Sequence, residues 1–163
     1  MNHHFSKSHE IKPSEQPNQK VNIISMIIDI TKKSDTIKFA NDFAKTISCG
    51  TPILLYGTLG CGKTFFTFHL IKALTNSDID VPSPTFSIVQ NYSTPVGEVS
   101  HYDLYRVKDS SELYELDIDN ALENNITIIE WPEIIADYIV ENFKPIRLYF
   151  TYENGKRSVR IER

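Results

Sequence analysis

Arginine is scarce in this chain: from Met1 to Lys144 the only one is Arg106. Enzymes that move a phosphoryl group onto a small molecule usually hold it with mobile arginines, so the scarcity speaks against a small-molecule kinase. Basic charge is not in excess either. The formal net charge is -4, and an acidic protein has no global positive field to draw it onto nucleic acid. No DNA partner is expected, and any RNA in its biology is expected to be held by another molecule. The two cysteines, Cys49 and Cys61, form neither a C-x-x-C pair nor a Cys/His cluster with metal-ligand spacing. That usage fits a reduced, cytoplasmic setting. Long apolar runs are missing as well. The nearest, Ile23–Ile30, is broken by Asp29 and falls far short of the roughly 18–20 residues that span a bilayer, so no membrane association is expected. The first twenty residues also lack the apolar core of a secretory signal.

Residues 1–20 are rich in His, Ser, Lys, Asn, Gln and Pro, with few large apolar side chains (Phe5 and Ile11). Such a segment cannot bury enough surface to offset its ordering entropy and reads as a disordered tail. The remainder, 21–163, reads as one domain. Ile23–Ile30 is a β-branched run that predicts a first strand. Ser34 or Asp35 can cap a helix whose apolar residues Ile37, Ala40, Phe43, Ala44 and Ile47 recur at helical spacing, and Gly50 ends it. Ile53–Tyr56 is a continuous apolar run after Pro52, the pattern of a strand buried on both faces. A helix is predicted from Gly62 to about Leu74.

The second half predicts more strand. Phe86–Tyr92 and Glu98–Tyr105 flank a hairpin signal at residues 93–97. A short acidic helix opens at Ser110 or Ser111 and runs to about Leu122. Ile126–Glu130 predicts a buried strand that stops at Trp131-Pro132, and Glu133–Glu141 a short helix. Ile146–Tyr152 and Arg157–Glu162 alternate around an Asn-Gly pair suited to a tight hairpin turn. The sum is an α/β fold: a mainly parallel core sheet with antiparallel additions, a C-terminal β-hairpin, and helices on both faces in three layers.

Gly57-Thr-Leu-Gly-Cys-Gly-Lys-Thr64 matches G-x-x-x-x-G-K-[ST] in full. A buried strand leads into it and an amphipathic helix leads out, which is the frame of a P-loop NTPase. Gly57, Gly60 and Gly62 allow close backbone approach, and successive N–H groups form an anion nest at a helix N-terminus. The run Gly57, Thr58, Leu59, Gly60, Cys61, Gly62, Lys63, Thr64 and Phe65 is therefore the expected ATP or ADP contact. Lys63 would neutralise the β- and γ-phosphates and Thr64 would offer its hydroxyl to Mg2+. Cys61 reads chiefly as a small side chain that fits the loop.

A P-loop needs an acidic partner for its metal, usually at the end of a neighbouring strand. Asp103, after the alternating run Val99–Tyr102, is the first candidate. Glu130, at the carboxyl end of an apolar strand, is the second, as metal ligand or water-orienting base. Thr85, in the stiff turn Ser83-Pro-Thr-Phe86, is a candidate switch over the γ-phosphate. His101 shares strand parity with Asp103 and reads by default as a buried, hydrogen-bonded histidine.

The P-loop, Ser83-Pro-Thr-Phe86, His101-Tyr-Asp-Leu-Tyr-Arg106 and Glu130-Trp-Pro-Glu133, in this order in so short a chain, resemble the bacterial TsaE family. The resemblance covers about Asp35 to the C-terminus. It implies a Mg2+-dependent, weak ATPase required for threonylcarbamoyladenosine modification of tRNA, acting on a complex of two other proteins, TsaB and TsaD. The family's metal-associated aspartate falls on Asp103, its switch threonine on Thr85 and its acidic-aromatic pair on Glu130 and Trp131. Cys61 departs from the alanine common in the family.

Charge placement agrees with work through a partner. Residues 98–141 carry twelve acidic side chains against Arg106 and Lys108, a stretch that repels phosphate and suits a basic protein partner. Lys144, Arg147, Lys156, Arg157, Arg160 and Arg163 make the terminal hairpin basic, which protects a sheet edge or offers contact to RNA or a partner complex. A small-molecule P-loop kinase remains the alternative enzyme. A regulatory GTPase would show Asn-Lys-x-Asp and Asp-x-x-Gly strings, and neither occurs.

Overall fold

Side chains alternate across the central strands so that one sheet serves two cores. The computed structural model describes residues 25–77, 81–82, 84 and 87–163. Its seven strands are β1 (Ser25–Asp29), β2 (Ile53–Tyr56), β3 (Val89–Thr94), β4 (Gly97–Asp103), β5 (Ile126–Glu130), β6 (Ile146–Glu153) and β7 (Lys156–Glu162). They lie in the order β1-β7-β6-β2-β5-β4-β3. The four central strands β6, β2, β5 and β4 are mutually parallel; β3 on one edge and β7 on the other run against them, and β1 pairs antiparallel with β7. The mainly parallel sheet with antiparallel additions is thus as expected.

Ile53, Leu55, Ile128, Leu148 and Val159 face helices α1 (Lys33–Ala44) and α2 (Lys63–Thr75). Leu54, Tyr102 and Ile129 face the other way, against α3 (Ser111–Tyr114), α4 (Ile118–Asn124) and α5 (Ala136–Asn142). This is a three-layer α/β fold. Phe39, Phe43 and Phe66 join α1 to α2 with ring centroids 5.0–5.8 Å apart. Each buried phenylalanine removes apolar surface worth roughly 1.5–3 kcal/mol, so this trio fixes how α2, and with it the P-loop, lies on the sheet.

Several element boundaries differ from the sequence reading. Helix α1 begins at Lys33, with Lys32 at its N-cap and no side-chain cap, so Ser34 and Asp35 lie in the first turn. The acidic helix is two helices, because Asp117 adopts φ 54° between them. The helix expected at Glu133–Glu141 is a 3-10 turn, Pro132–Ile134, followed by α5; Ile135, at φ -127° and ψ -1°, separates the two. Asn154 (φ 51°) and Gly155 (φ 78°) form the β6–β7 turn, both left-handed as a type I′ hairpin requires. The tail expected at 1–20 lies outside the described residues.

Candidate active site

Parallel strands end together, so their carboxyl ends gather the loops that follow them. Here that edge collects the P-loop after β2, Glu130 and Trp131 after β5, and Asp103 at the end of β4. Leu55 is register partner of Glu130, and Glu130 of Asp103. Three stretches far apart in sequence therefore meet at one level of the sheet.

The loop needs its glycines. Gly57, Gly60 and Gly62 take φ 136°, 78° and 115°, values that side-chain-bearing residues rarely adopt. Gly57 is also the tightest. A Cβ there would strike the Phe150 carbonyl oxygen on β6 and lie 2.9 Å from Cys61 Sγ. At Gly60 a Cβ would meet nothing within 4 Å. Gly57→Ala is therefore expected to lower stability by about 1–3 kcal/mol through overpacking, beyond its dihedral strain. Gly60→Ala carries only the left-handed penalty of about 1–2 kcal/mol. Urea denaturation of the two variants checks this; equal midpoints would contradict the close packing of Gly57 on β6.

Lys63 opens α2 and is only 4% exposed. A buried ammonium is costly unless its donors are used. Its Nζ donates to the carbonyls of Gly57 at 2.6 Å and Thr58 at 3.2 Å, and lies 3.7 Å from the centroid of the Trp131 ring. Thr64 Oγ1 donates to Glu130 Oε2 at 2.8 Å. Glu130 is 1% exposed, and its other oxygen, Oε1, meets His101 Nε2 at 3.0 Å. Asp103, 8% exposed, accepts from the Tyr105 N–H at 3.1 Å through Oδ1.

Trp131 is held in an unusual conformation. Its φ is 57°, strained for a bulky residue and more so before a proline. Its N–H donates to the Leu55 carbonyl at 3.3 Å and its ring packs on Tyr105 at 4.8 Å. Such strain persists only where surrounding structure imposes it, and it concentrates at functional sites. The twist turns the indole over Lys63.

Leu59, Gly60, Gly62, Lys63, Thr64, Phe65, Glu130 and Trp131 line a cavity of about 270 Å³. Every one of them is a residue the sequence singled out for the site. A second cavity of about 240 Å³ lies on the other side of Gly60, Gly62 and Phe65, walled by Ile30, Thr31, Lys33, Thr36 and Arg157. Sequence reasoning missed that wall. Arg157 comes from β7, where the Thr31 hydroxyl bonds both its backbone N–H (3.0 Å) and its carbonyl (3.3 Å). No local pattern signals a contact between residues 126 positions apart. Thr85 lies outside the described residues, as do Ser83 and Phe86.

The donor set fits a nucleotide triphosphate and Mg2+. The glycine-lined nest and Lys63 suit phosphate, and the Thr64 hydroxyl with Glu130 and Asp103 offers hard oxygens. Among the described residues, no three His, Cys, Asp or Glu side chains cluster to hold a metal by themselves. Mg2+ is commonly bound through one or two carboxylates plus phosphate and water, and this edge supplies that kind of site. No helix of the described residues is long and apolar enough to cross a membrane.

Comparison with known proteins agrees with this architecture. In the crystal structure of Bacillus subtilis YdiB, a chain 20% identical overlays with a TM-score of 0.63, covering 86% of each chain. That likeness establishes the P-loop-type fold. A Rickettsia prowazekii protein named tRNA threonylcarbamoyladenosine biosynthesis protein TsaE is 37% identical, covering 82% of this chain and 92% of its own length. An Aquifex aeolicus protein of the same name is 34% identical over 74% of this chain and 92% of its own. The family model described as threonylcarbamoyl adenosine biosynthesis protein TsaE matches residues 30–160. A matched P-loop, strand-end carboxylates and a family match over most of the chain lead to one assignment: this chain belongs to the TsaE family, whose role is in tRNA threonylcarbamoyladenosine biosynthesis.

Proposed function

We propose that the chain is a Mg2+-dependent ATP-binding protein and weak ATPase that serves tRNA threonylcarbamoyladenosine modification through a complex of TsaB and TsaD. The observation that carries this reading is the contact of Thr64 with Glu130 at 2.8 Å beside buried Lys63. It joins the metal-binding hydroxyl of the loop to a carboxylate on the neighbouring strand, the pairing that phosphoryl chemistry on a P-loop requires. Mg2+, when bound, would neutralise charge developing on the phosphates.

In this reading the backbone of residues 57–62 holds the phosphates, and Lys63 exchanges its carbonyl partners for phosphate oxygens. Thr64 and Asp103, with Glu130 through a water, would hold the metal. Glu130 orients the attacking water and accepts its proton. The cavity walled by Ile30, Thr31, Phe65 and Arg157 takes the nucleoside, with apolar walls for the base and polar groups at its rim. Trp131 shields the phosphate cavity from water. The acidic face of α3 and α4 docks on the partner complex, and tRNA is reached through that complex.

The test is the steady-state rate of ATP hydrolysis by the purified chain, alone and with TsaB and TsaD. A low rate that rises clearly in the complex is the expected result. An unchanged rate with no complex formed would overturn the partner-dependent reading and return a small-molecule kinase to consideration.

A further inference from the structure

His101 stands on β4, two residues before Asp103, and only 1% of it is exposed. Its Nε2 lies 3.0 Å from Glu130 Oε1. A carboxylate oxygen accepts, so the proton of this contact sits on Nε2. Its other nitrogen, Nδ1, is buried and has no partner among the described residues. A buried polar atom without a partner costs free energy, so the imidazole's position is not explained by satisfaction of its own groups. Among the described residues, the hydrogen bond its ring makes is to Glu130.

That contact completes a chain. Glu130 receives Thr64 Oγ1 on Oε2 and His101 on Oε1, so neither carboxylate oxygen is at liberty to rotate. Without His101, the carboxylate could turn about its last torsion, a broad and soft one. The oxygen facing Thr64 would then be lost as readily as kept.

We infer that His101 is a positioning residue that fixes the Glu130 carboxylate, through Nε2, in the orientation that presents Oε2 toward Thr64 and the phosphate cavity. The inference rests on the reading of this site as a Mg2+-dependent nucleotide site. His101 does not itself line the cavity and reaches it through Glu130.

Two amide variants separate position from polarity. The side-chain nitrogen of His101→Gln reaches about as far as Nε2, whereas that of His101→Asn stops near Nδ1 and cannot reach Glu130. Nucleotide binding is read from Trp131 fluorescence with and without Mg2+, and hydrolysis is read separately. In His101→Asn, affinity for ADP without Mg2+ is expected to stay within about twofold of wild type, while the gain on adding Mg2+ falls several-fold and kcat falls about tenfold or more. His101→Gln is expected to restore both to within about threefold. Equal behaviour of the two amides, or an undiminished Mg2+ gain in His101→Asn, would overturn the inference.

If His101→Asn does not fold, the wild-type imidazole decides. Nitrogen-15 NMR of the histidine ring is expected to show the proton on Nε2, and a proton on Nδ1 alone would overturn the contact. A wild-type protein that binds no nucleotide would instead strike down the proposed function, a different failure from equality of the two variants.

Discussion

Replacing Lys63 by alanine is expected to leave a folded protein that no longer binds ATP measurably. The ammonium group is held 2.6 Å from the Gly57 carbonyl and 3.2 Å from that of Thr58, inside the ring of backbone that forms the anion nest. It is therefore already in the cavity, and ligand binding costs it little side-chain entropy. Removing one partner of a buried, charge-assisted contact costs about 2–5 kcal/mol, which is about 30-fold to several thousand-fold in affinity. Stability moves far less, because the two groups left without their donor are neutral carbonyls and no uncompensated charge stays buried. Titration calorimetry with Mg2+ and ATP, beside a thermal melt, separates the two effects. Affinity within a few-fold of wild type would remove Lys63 from the site.

Loss of Glu130 is expected to act on turnover rather than on binding. Its carboxylate contacts Thr64 and His101 but not the loop backbone, so most of the phosphate contacts survive its replacement. A positioned general base contributes about 10²–10⁴ in rate, and Glu130→Ala should lose a comparable factor in kcat while ATP affinity changes several-fold. Alanine also strips the Thr64 hydroxyl and the buried His101 of their partner, so Glu130→Gln is the sharper variant: it keeps the shape and cannot take a proton from water. Asp103→Ala should likewise impair hydrolysis more than binding. Wild-type turnover in Glu130→Gln would remove that residue from the mechanism.

Much of this fold was legible because its signals are local. The apolar run at Ile53–Tyr56, the glycines and Lys63-Thr64 that follow it, and the Asn154-Gly155 turn each state their conformation within a few residues. The strand ends at Asp103 and Glu130 were legible from alternation and from an apolar run that stops abruptly. What could not be read was pairing across the sheet. Nothing near Glu130 in sequence announces that Thr64 and His101 will each take one of its oxygens, 66 and 29 residues away.

Arg157 is the sharper case. Arg106 is the only arginine from Met1 to Lys144, yet the antiparallel β6–β7 hairpin carries Arg157 back beside Gly62 and Phe65. Helix ends failed for another reason. Asp117 adopts left-handed backbone that tertiary packing imposes against its local preference and divides the acidic helix, and Ile135 divides the one expected at Glu133–Glu141. Thr85, the expected switch, lies outside the described residues and keeps its role as a proposal.

In the proposed function, Mg2+ and ATP occupy the cavity between the P-loop and Trp131. Trp131 is the only tryptophan in the chain, and its ring centroid lies 3.7 Å from Lys63 Nζ, so its emission reports directly on that cavity. Titration of the wild-type chain with ATP in the presence of Mg2+ should change the fluorescence saturably, should do so far more weakly with GTP, and should leave Lys63→Ala silent. A flat wild-type titration, or the same saturable change in Lys63→Ala, would contradict the placement of the nucleotide here.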